Sequence, residues 1–200
     1  MLIAAVPRTR VIASLPRGNG TVALTFDDGP HPEWTPRVLD ALALHGARAT
    51  FFVVGARAEL QPDIVRRIAA EGHTVGHHSW SHSEPATTPA RVLLAENRRT
   101  REFLEDLLQR PIRLFRPPHG KLTPRKLLGS WAQGNVLVLW NRDPKDYQAT
   151  DASALRSWAA TQPLSAGDIV LLHDTNAHTA AALPQVLGGC AFPFRALGTA

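Results

Sequence analysis

Short apolar runs alternate with amphipathic stretches along almost the whole chain, and each apolar run ends in polar or charged residues. Thr21 to Phe26 is β-branched and apolar, as in a strand buried on both faces, and it runs straight into Asp27-Asp28-Gly29-Pro30. Ala49 to Val54, His73 to Gly76, Arg113 to Phe115, Val136 to Trp140 and Asp168 to Leu172 read as further strands, and Pro193 to Leu197 as a last one. Helices are predicted between them. The first opens at Thr35-Pro36, places Val38, Leu39, Leu42 and Leu44 on one face and stops at Gly46. The others span Pro62 to Glu71, Pro89 to Leu108, Thr123 to Trp131, Ser153 to Thr161 and Ala180 to Leu187.

About seven strands alternating with helices define a parallel α/β architecture. Asp27-Asp28, His77-His78, Arg116, Asp143 to Asp146 and His173 all follow C-terminal ends of predicted strands. A barrel of parallel strands gathers its active site from that end of several strands, whereas an open sheet concentrates it at one switch point. Five contributing strands favour the barrel. Two hundred residues are enough for one domain with one core, and 44% hydrophobic against 20% charged residues excludes a disordered tail.

The net charge is +5, and 19 of the 22 basic residues are arginine. The densest cluster, Arg98, Arg99 and Arg101, is interleaved with Glu96, Glu102, Glu105 and Asp106 and reads as a solvated helix face, so no nucleic-acid partner is expected. The lone cysteine, Cys190, excludes an intrachain disulfide. No stretch approaches the ~20 apolar residues of a membrane span. The apolar run Met1 to Val6 is too short for a signal-peptide core and is interrupted by Pro7 and Arg8. As written the chain reads as cytoplasmic, or as extracellular if it is a trimmed form.

Several residue sets carry chemistry. Asp27 and Asp28 sit where a strand twists into a turn, which can turn both carboxylates toward one site: one to bind a metal, the other to take a proton from water. His78 and His82 have i, i+4 spacing; on a helical turn both rings face the same way and share one cation. With Asp28 they make a two-imidazole, one-carboxylate set with open positions for water and substrate. His173, at the mouth of an apolar strand, is a candidate proton donor, kept protonated by Asp146 or Asp143. Arg116 is placed to fix an aspartate base through a bidentate bond. No Gly-x-Ser-x-Gly elbow and no phosphate-binding glycine loop with lysine is present.

Five ordered segments carry a family resemblance. They are Thr25-Phe26-Asp27-Asp28-Gly29-Pro30, His78-Ser79-Trp80-Ser81-His82, Arg116-Pro117-Pro118-His119-Gly120, Asp143-Pro144-Lys145-Asp146-Tyr147 and Leu171-Leu172-His173. Over about residues 22 to 174, which contain them, the chain resembles the polysaccharide deacetylases, the NodB-homology group of carbohydrate esterase family 4.

The resemblance implies a distorted (β/α) barrel of about seven units, one domain over residues 1–200, and hydrolysis of an N-acetyl, less often O-acetyl, group on a glycan or amino sugar. It assigns Asp28, His78 and His82 to a divalent metal, usually zinc, with cobalt and nickel as alternatives. It makes Asp27 the general base held by Arg116, and His173 the general acid tuned by Asp146. The backbone N–H of His119 would stabilise the oxyanion, and Tyr147 and Leu171 would line the acetyl pocket. Three positions depart from the usual pattern: His119 for tyrosine, Tyr147 for tryptophan and His77 for asparagine. His77 is therefore expected either to hydrogen-bond to a ligand or to compete for the metal. Two other readings compete: a metal-dependent amidohydrolase acting on a small non-sugar amide, and a catalytically silent glycan-binding protein on the same fold.

Overall fold

The computed structural model describes residues 10–198; the Met1 to Val6 run lies outside them. Seven strands form one parallel sheet: β1 (Val11–Ile12), β2 (Ala23–Asp27), β3 (Thr50–Val53), β4 (Thr74–His77), β5 (Leu114–Phe115), β6 (Val136–Val138) and β7 (Ile169–His173). Seven helices pack around it: α1 (Trp34–Leu44), α2 (Gly55–Leu60), α3 (Pro62–Ala70), α4 (Ala90–Leu108), α5 (Pro124–Ala132), α6 (Ala152–Thr161) and α7 (Ala177–Gly188). The strand order is β1-β6-β5-β4-β3-β2-β7. The sheet curls into a partial barrel. Where the chain leaves β6 it crosses to β7: Arg142 bridges Val170, and the Leu171 N–H donates to the Arg142 carbonyl at 2.9 Å.

Strand alternation sorts the side chains into two layers. Leu24, Phe26, Phe51, Val53, Val75, Val170 and Leu172 point out to the helices, in a core shared with Val38, Leu39, Leu42, Leu183 and Val186. Ala23, Phe52, Leu114, Val138 and Ile169 fill the barrel interior. Gly76 is required on that inner side: a Cβ would lie 2.7 Å from the Phe52 ring and 2.8 Å from the Leu114 carbonyl. The parallel register aligns the carboxyl ends, with Asp27 opposite His173 and Val53 opposite His77.

The structure corrects the sequence reading at five points. The seventh strand is Val11–Ile12 and not Pro193 to Leu197, where only Phe194 bridges Val22. Leu44 ends α1 fully solvated, 85% exposed, because the helix has already turned its core face past it. Gly55–Leu60 forms a short helix between β3 and α3. The arginines of α4 are not all solvated: Arg99 lies flat on Trp80, 3.4 Å from its ring centroid, and Arg101 donates to the Gln133 carbonyl. Finally His77, on the outward face of β4, is buried under Phe115 and bonded to Asn135 Oδ1 at 3.1 Å. It bonds to neither His78 nor His82, because strand alternation turns it to the other face of the sheet. Burial lowers its pKa to about 3, so it is a neutral core histidine.

Candidate active site

A cleft of about 380 Å³ opens at the carboxyl end of the barrel. Asp27, Asp28, His78, His82, His119, Tyr147, Leu171 and His173 line it, together with Lys121, Trp140 and Asp143. All ten residues singled out from sequence therefore meet at one place: eight at the cleft surface, with Arg116 and Asp146 directly behind it.

Asp27 is the last residue of β2 and points inward, 3% exposed. Asp28 follows with a left-handed backbone, φ 73°, which reverses the strand's alternation and swings a second carboxylate toward the same cleft. His78 leaves β4, and its Nδ1 bonds to the Arg116 carbonyl at 2.7 Å. A carbonyl only accepts, so Nδ1 carries the proton and Nε2 presents a lone pair to the cleft. Burial lowers the His78 pKa to about 3, which keeps the ring neutral and able to ligate.

His78 and His82 are not on a helical turn. They flank a loop in which Ser79 and His82 both take left-handed φ, 61° and 57°. The loop, and not helical periodicity, brings the two rings to a centroid separation of 4.9 Å. The α2 amino end clamps it, with the Gly55 and Ala56 N–H groups donating to the Ser79 and Trp80 carbonyls.

Asp28, His78 and His82 offer ligand atoms all within 4.8 Å of one another. Asp28 Oδ1 lies 3.2 Å from His82 Nε2 and 3.5 Å from His78 Nε2. Two metal bonds of about 2.0 Å at a tetrahedral angle place their donors roughly 3.3 Å apart. Asp28 Oδ1 is buried and has no hydrogen-bond partner, which is costly for a carboxylate unless a cation takes that lone pair. The residues therefore fit a divalent metal ion.

Behind Asp27 the Arg116 guanidinium is fully buried, stacked 4.3 Å from the Phe52 centroid. Its bond to Asp27 is single and not the bidentate fork expected: Nη1 donates to Oδ1 at 2.7 Å. Nη1 also reaches Thr25 Oγ1, and Nε and Nη2 donate to the Val138 and Leu139 carbonyls. Spreading its donors over two backbone carbonyls fixes the guanidinium independently of Asp27 and leaves Asp27 Oδ2 free to face His78, 3.8 Å away. Burial pushes the Asp27 carboxyl above its usual value, with Arg116 and His173 pulling it back.

At the end of the neighbouring strand, His173 Nδ1 bonds to Asp146 Oδ1 at 2.8 Å; Asp146, not Asp143, holds it. Asp146 is itself fixed by the His173 N–H and by Thr179 Oγ1, at 2.7 and 2.6 Å. Burial alone would lower the His173 pKa, but the Asp146 bond and charge, with Asp27 and Asp28 beyond, outweigh it and raise it to about 9. A rise from 6.5 to about 9 is roughly 3 kcal/mol in favour of the imidazolium. That stabilisation is complete below pH 6.5 and is lost as pH rises through about 9. In the metal-free protein the His173 ring resonances should therefore titrate near 9. In Asp146→Asn they should titrate at or below 6.5. A wild-type midpoint near 6 would show that Asp146 does not hold the proton on the ring.

Two contributors escaped sequence reading because their partners are a backbone carbonyl and a side chain distant in sequence. Arg57 Nη1 donates to the Asp28 carbonyl at 2.6 Å. Asp174, fully buried, accepts from Thr35 Oγ1 at 2.6 Å, and burial raises its pKa to about 7. His31 caps the start of α1, its Nδ1 accepting from the Glu33 and Trp34 N–H groups.

The carboxyl end of the parallel partial barrel thus gathers carboxylates and imidazoles in one cleft, with Asp28, His78 and His82 close enough to share a cation. The comparisons with known proteins name the family. The polysaccharide deacetylase family model matches residues 15–134. A Bacillus cereus peptidoglycan-N-acetylglucosamine deacetylase is 36% identical over 160 residues, 80% of this chain and 58% of that protein's length. A Bradyrhizobium sp. chitooligosaccharide deacetylase is 41% identical over 164 residues, 78% of this chain and 72% of that one. Among solved structures, the family 4 carbohydrate esterase from Streptomyces lividans in complex with acetate superposes with a TM-score of 0.78 at 32% identity, covering 86% of this chain and 88% of that one. The chain belongs to the polysaccharide deacetylase family.

Proposed function

We propose that the protein removes N-acetyl groups from a glycan, with zinc held by Asp28, His78 and His82. One observation carries the reading: Asp27, backed by Arg116, and His173, backed by Asp146, end neighbouring strands in paired register and line one cleft with the three-residue ligand cluster. A glycan-binding protein needs neither an oriented base nor a histidine held as imidazolium, which argues against a silent binder.

A divalent ion bound there supplies Lewis acidity for the acetyl carbonyl and lowers the pKa of water beside it. Asp27 takes a proton from the attacking water as its oxygen bonds to the acetyl carbon. The His119 N–H is the expected donor to the oxygen that gains charge. The carbon–nitrogen bond then breaks, and His173 donates its proton to the departing amine. Acetate and a free amine result. Tyr147 and Leu171 form the wall next to the acetyl methyl; Tyr147 is about half exposed, which leaves the cleft open toward a chain substrate.

The relatives point to peptidoglycan or chito-oligosaccharide as substrate classes. Chitin oligomers, peptidoglycan fragments, acetylxylan and simple acetamides, assayed side by side for released acetate, should show turnover confined to the amino-sugar polymers. Turnover of small acetamides alone would transfer the assignment to the amidohydrolase reading. Glycan binding with no acetate from any substrate would favour the silent binder.

A further inference from the structure

The loop that carries Asp28 is held from beneath by a buried Asp174–Thr35 pair, whose geometry exceeds what packing requires. Asp174 immediately follows His173 at the end of β7, and Thr35 lies in the first turn of α1. Neither residue is solvent-accessible. Thr35 Oγ1 donates to Asp174 Oδ2 at 2.6 Å and accepts from the His31 N–H at 2.7 Å. The chain of bonds therefore runs from the acid's strand, through a carboxyl and a hydroxyl, into the loop of residues 28–31.

The same carboxyl also sets the path of Gly29. A Cβ on Gly29 would sit 2.6 Å from Asp174 Cγ and closer still to both its oxygens. Asp174 Oδ1 is buried with no hydrogen-bond partner. Leaving a buried acceptor unsatisfied costs about 1–3 kcal/mol, a cost this carboxyl bears at its second oxygen. The arrangement is suited to fixing a backbone: Gly29 packs on the carboxyl, its carbonyl accepts from the Val54 N–H at 2.9 Å, and His31 is tied to Thr35.

We infer that Asp174 is a positioning residue, acting through Thr35 and Gly29 to set where Asp28 meets His78 and His82, and thereby the affinity of that site for its metal. The inference rests on the proposed metal site. Outer groups that orient ligands typically change metal affinity 10–100-fold when lost.

The test is zinc affinity of the purified protein, stripped of metal and titrated against a chromophoric chelator, alongside thermal melting of the metal-free form. Asp174→Ala should weaken zinc binding at least about tenfold while melting cooperatively. Asp174→Asn, whose amide oxygen still accepts from Thr35, should restore most of the affinity. Thr35→Val removes the hydroxyl at nearly constant shape, should weaken zinc similarly, and decides the matter if Asp174→Ala does not fold. Gly29→Ala should weaken zinc in the wild-type background and cause little further loss in Asp174→Ala, since the clash is with that carboxyl. Folded Asp174→Ala and Thr35→Val proteins with wild-type zinc affinity would overturn the inference. Asp28→Gly separates the two levels. If wild type binds zinc and Asp28→Gly does not, the metal site stands whatever Asp174 does. If wild type binds no zinc, or binding survives in Asp28→Gly, the metal site itself fails and the inference with it.

Discussion

Asp27→Asn is expected to lower kcat by about 10²–10⁴-fold, the usual contribution of a positioned general base, while zinc content stays at the wild-type level. Asparagine keeps an oxygen where Asp27 Oδ1 accepts from Arg116, so the geometry behind the site persists. The charge does not persist. Arg116 is fully buried with Asp27 as its ion-pair partner, and an uncompensated buried guanidinium costs roughly 3 kcal/mol of stability. The variant should therefore melt at lower temperature yet load metal normally. Equal loss of metal and turnover would place Asp27 among the ligands and leave the base unassigned.

His82→Gly should do the reverse. The substitution suits the backbone, because His82 sits at φ 57°, where glycine is unstrained and alanine is not. The ring is about one-third exposed and its ion pair is with Asp28 of the same cluster, so the stability of the metal-free protein should change little. Zinc affinity should fall by at least about 100-fold, since a lost ligand costs more than the 10–100-fold of a lost outer-shell partner. Acetate release should fall with metal occupancy and recover partly at high zinc. Full activity of this variant in metal-free buffer would remove His82 from the ligand set.

Much of this site was legible in the chain because barrel strands are short apolar runs and the residues that follow them collect at one end. Asp27, His78, Arg116 and His173 each follow such a run, so order along the sequence translates directly into proximity. What stayed hidden depends on backbone conformation. The i, i+4 spacing of His78 and His82 reads as a helical turn, and nothing in Ser79 or His82 announces left-handed φ. Val11–Ile12 is a strand of two residues, too short to show any period. The single Arg116–Asp27 bond reflects the competing carbonyls of Val138 and Leu139, which lie on another strand. His77 looked like a neighbour of the ligands because it precedes His78. One residue of strand alternation puts it on the opposite face. Asp174 stood next to a singled-out histidine, but its partner Thr35 lies 139 residues away in sequence.

The departures at His119 and Tyr147 take physical form at the cleft mouth. His119 packs edge-on against His82, with centroids 5.1 Å apart, and its Nε2 lies 3.4 Å from Glu84. Tyr147 packs edge-on against His173 at 5.3 Å. Both line the cleft beside Asp28, His78 and His82, so the substitutions change its wall and leave those three side chains in place.

Metal-dependent deacetylation is tested most directly by acetate release from an N-acetylated amino-sugar oligomer before chelation, after exhaustive chelation, and after zinc is returned. The expected result is loss of acetate release on chelation and its recovery with zinc. Full acetate release from protein shown to be metal-free would contradict it.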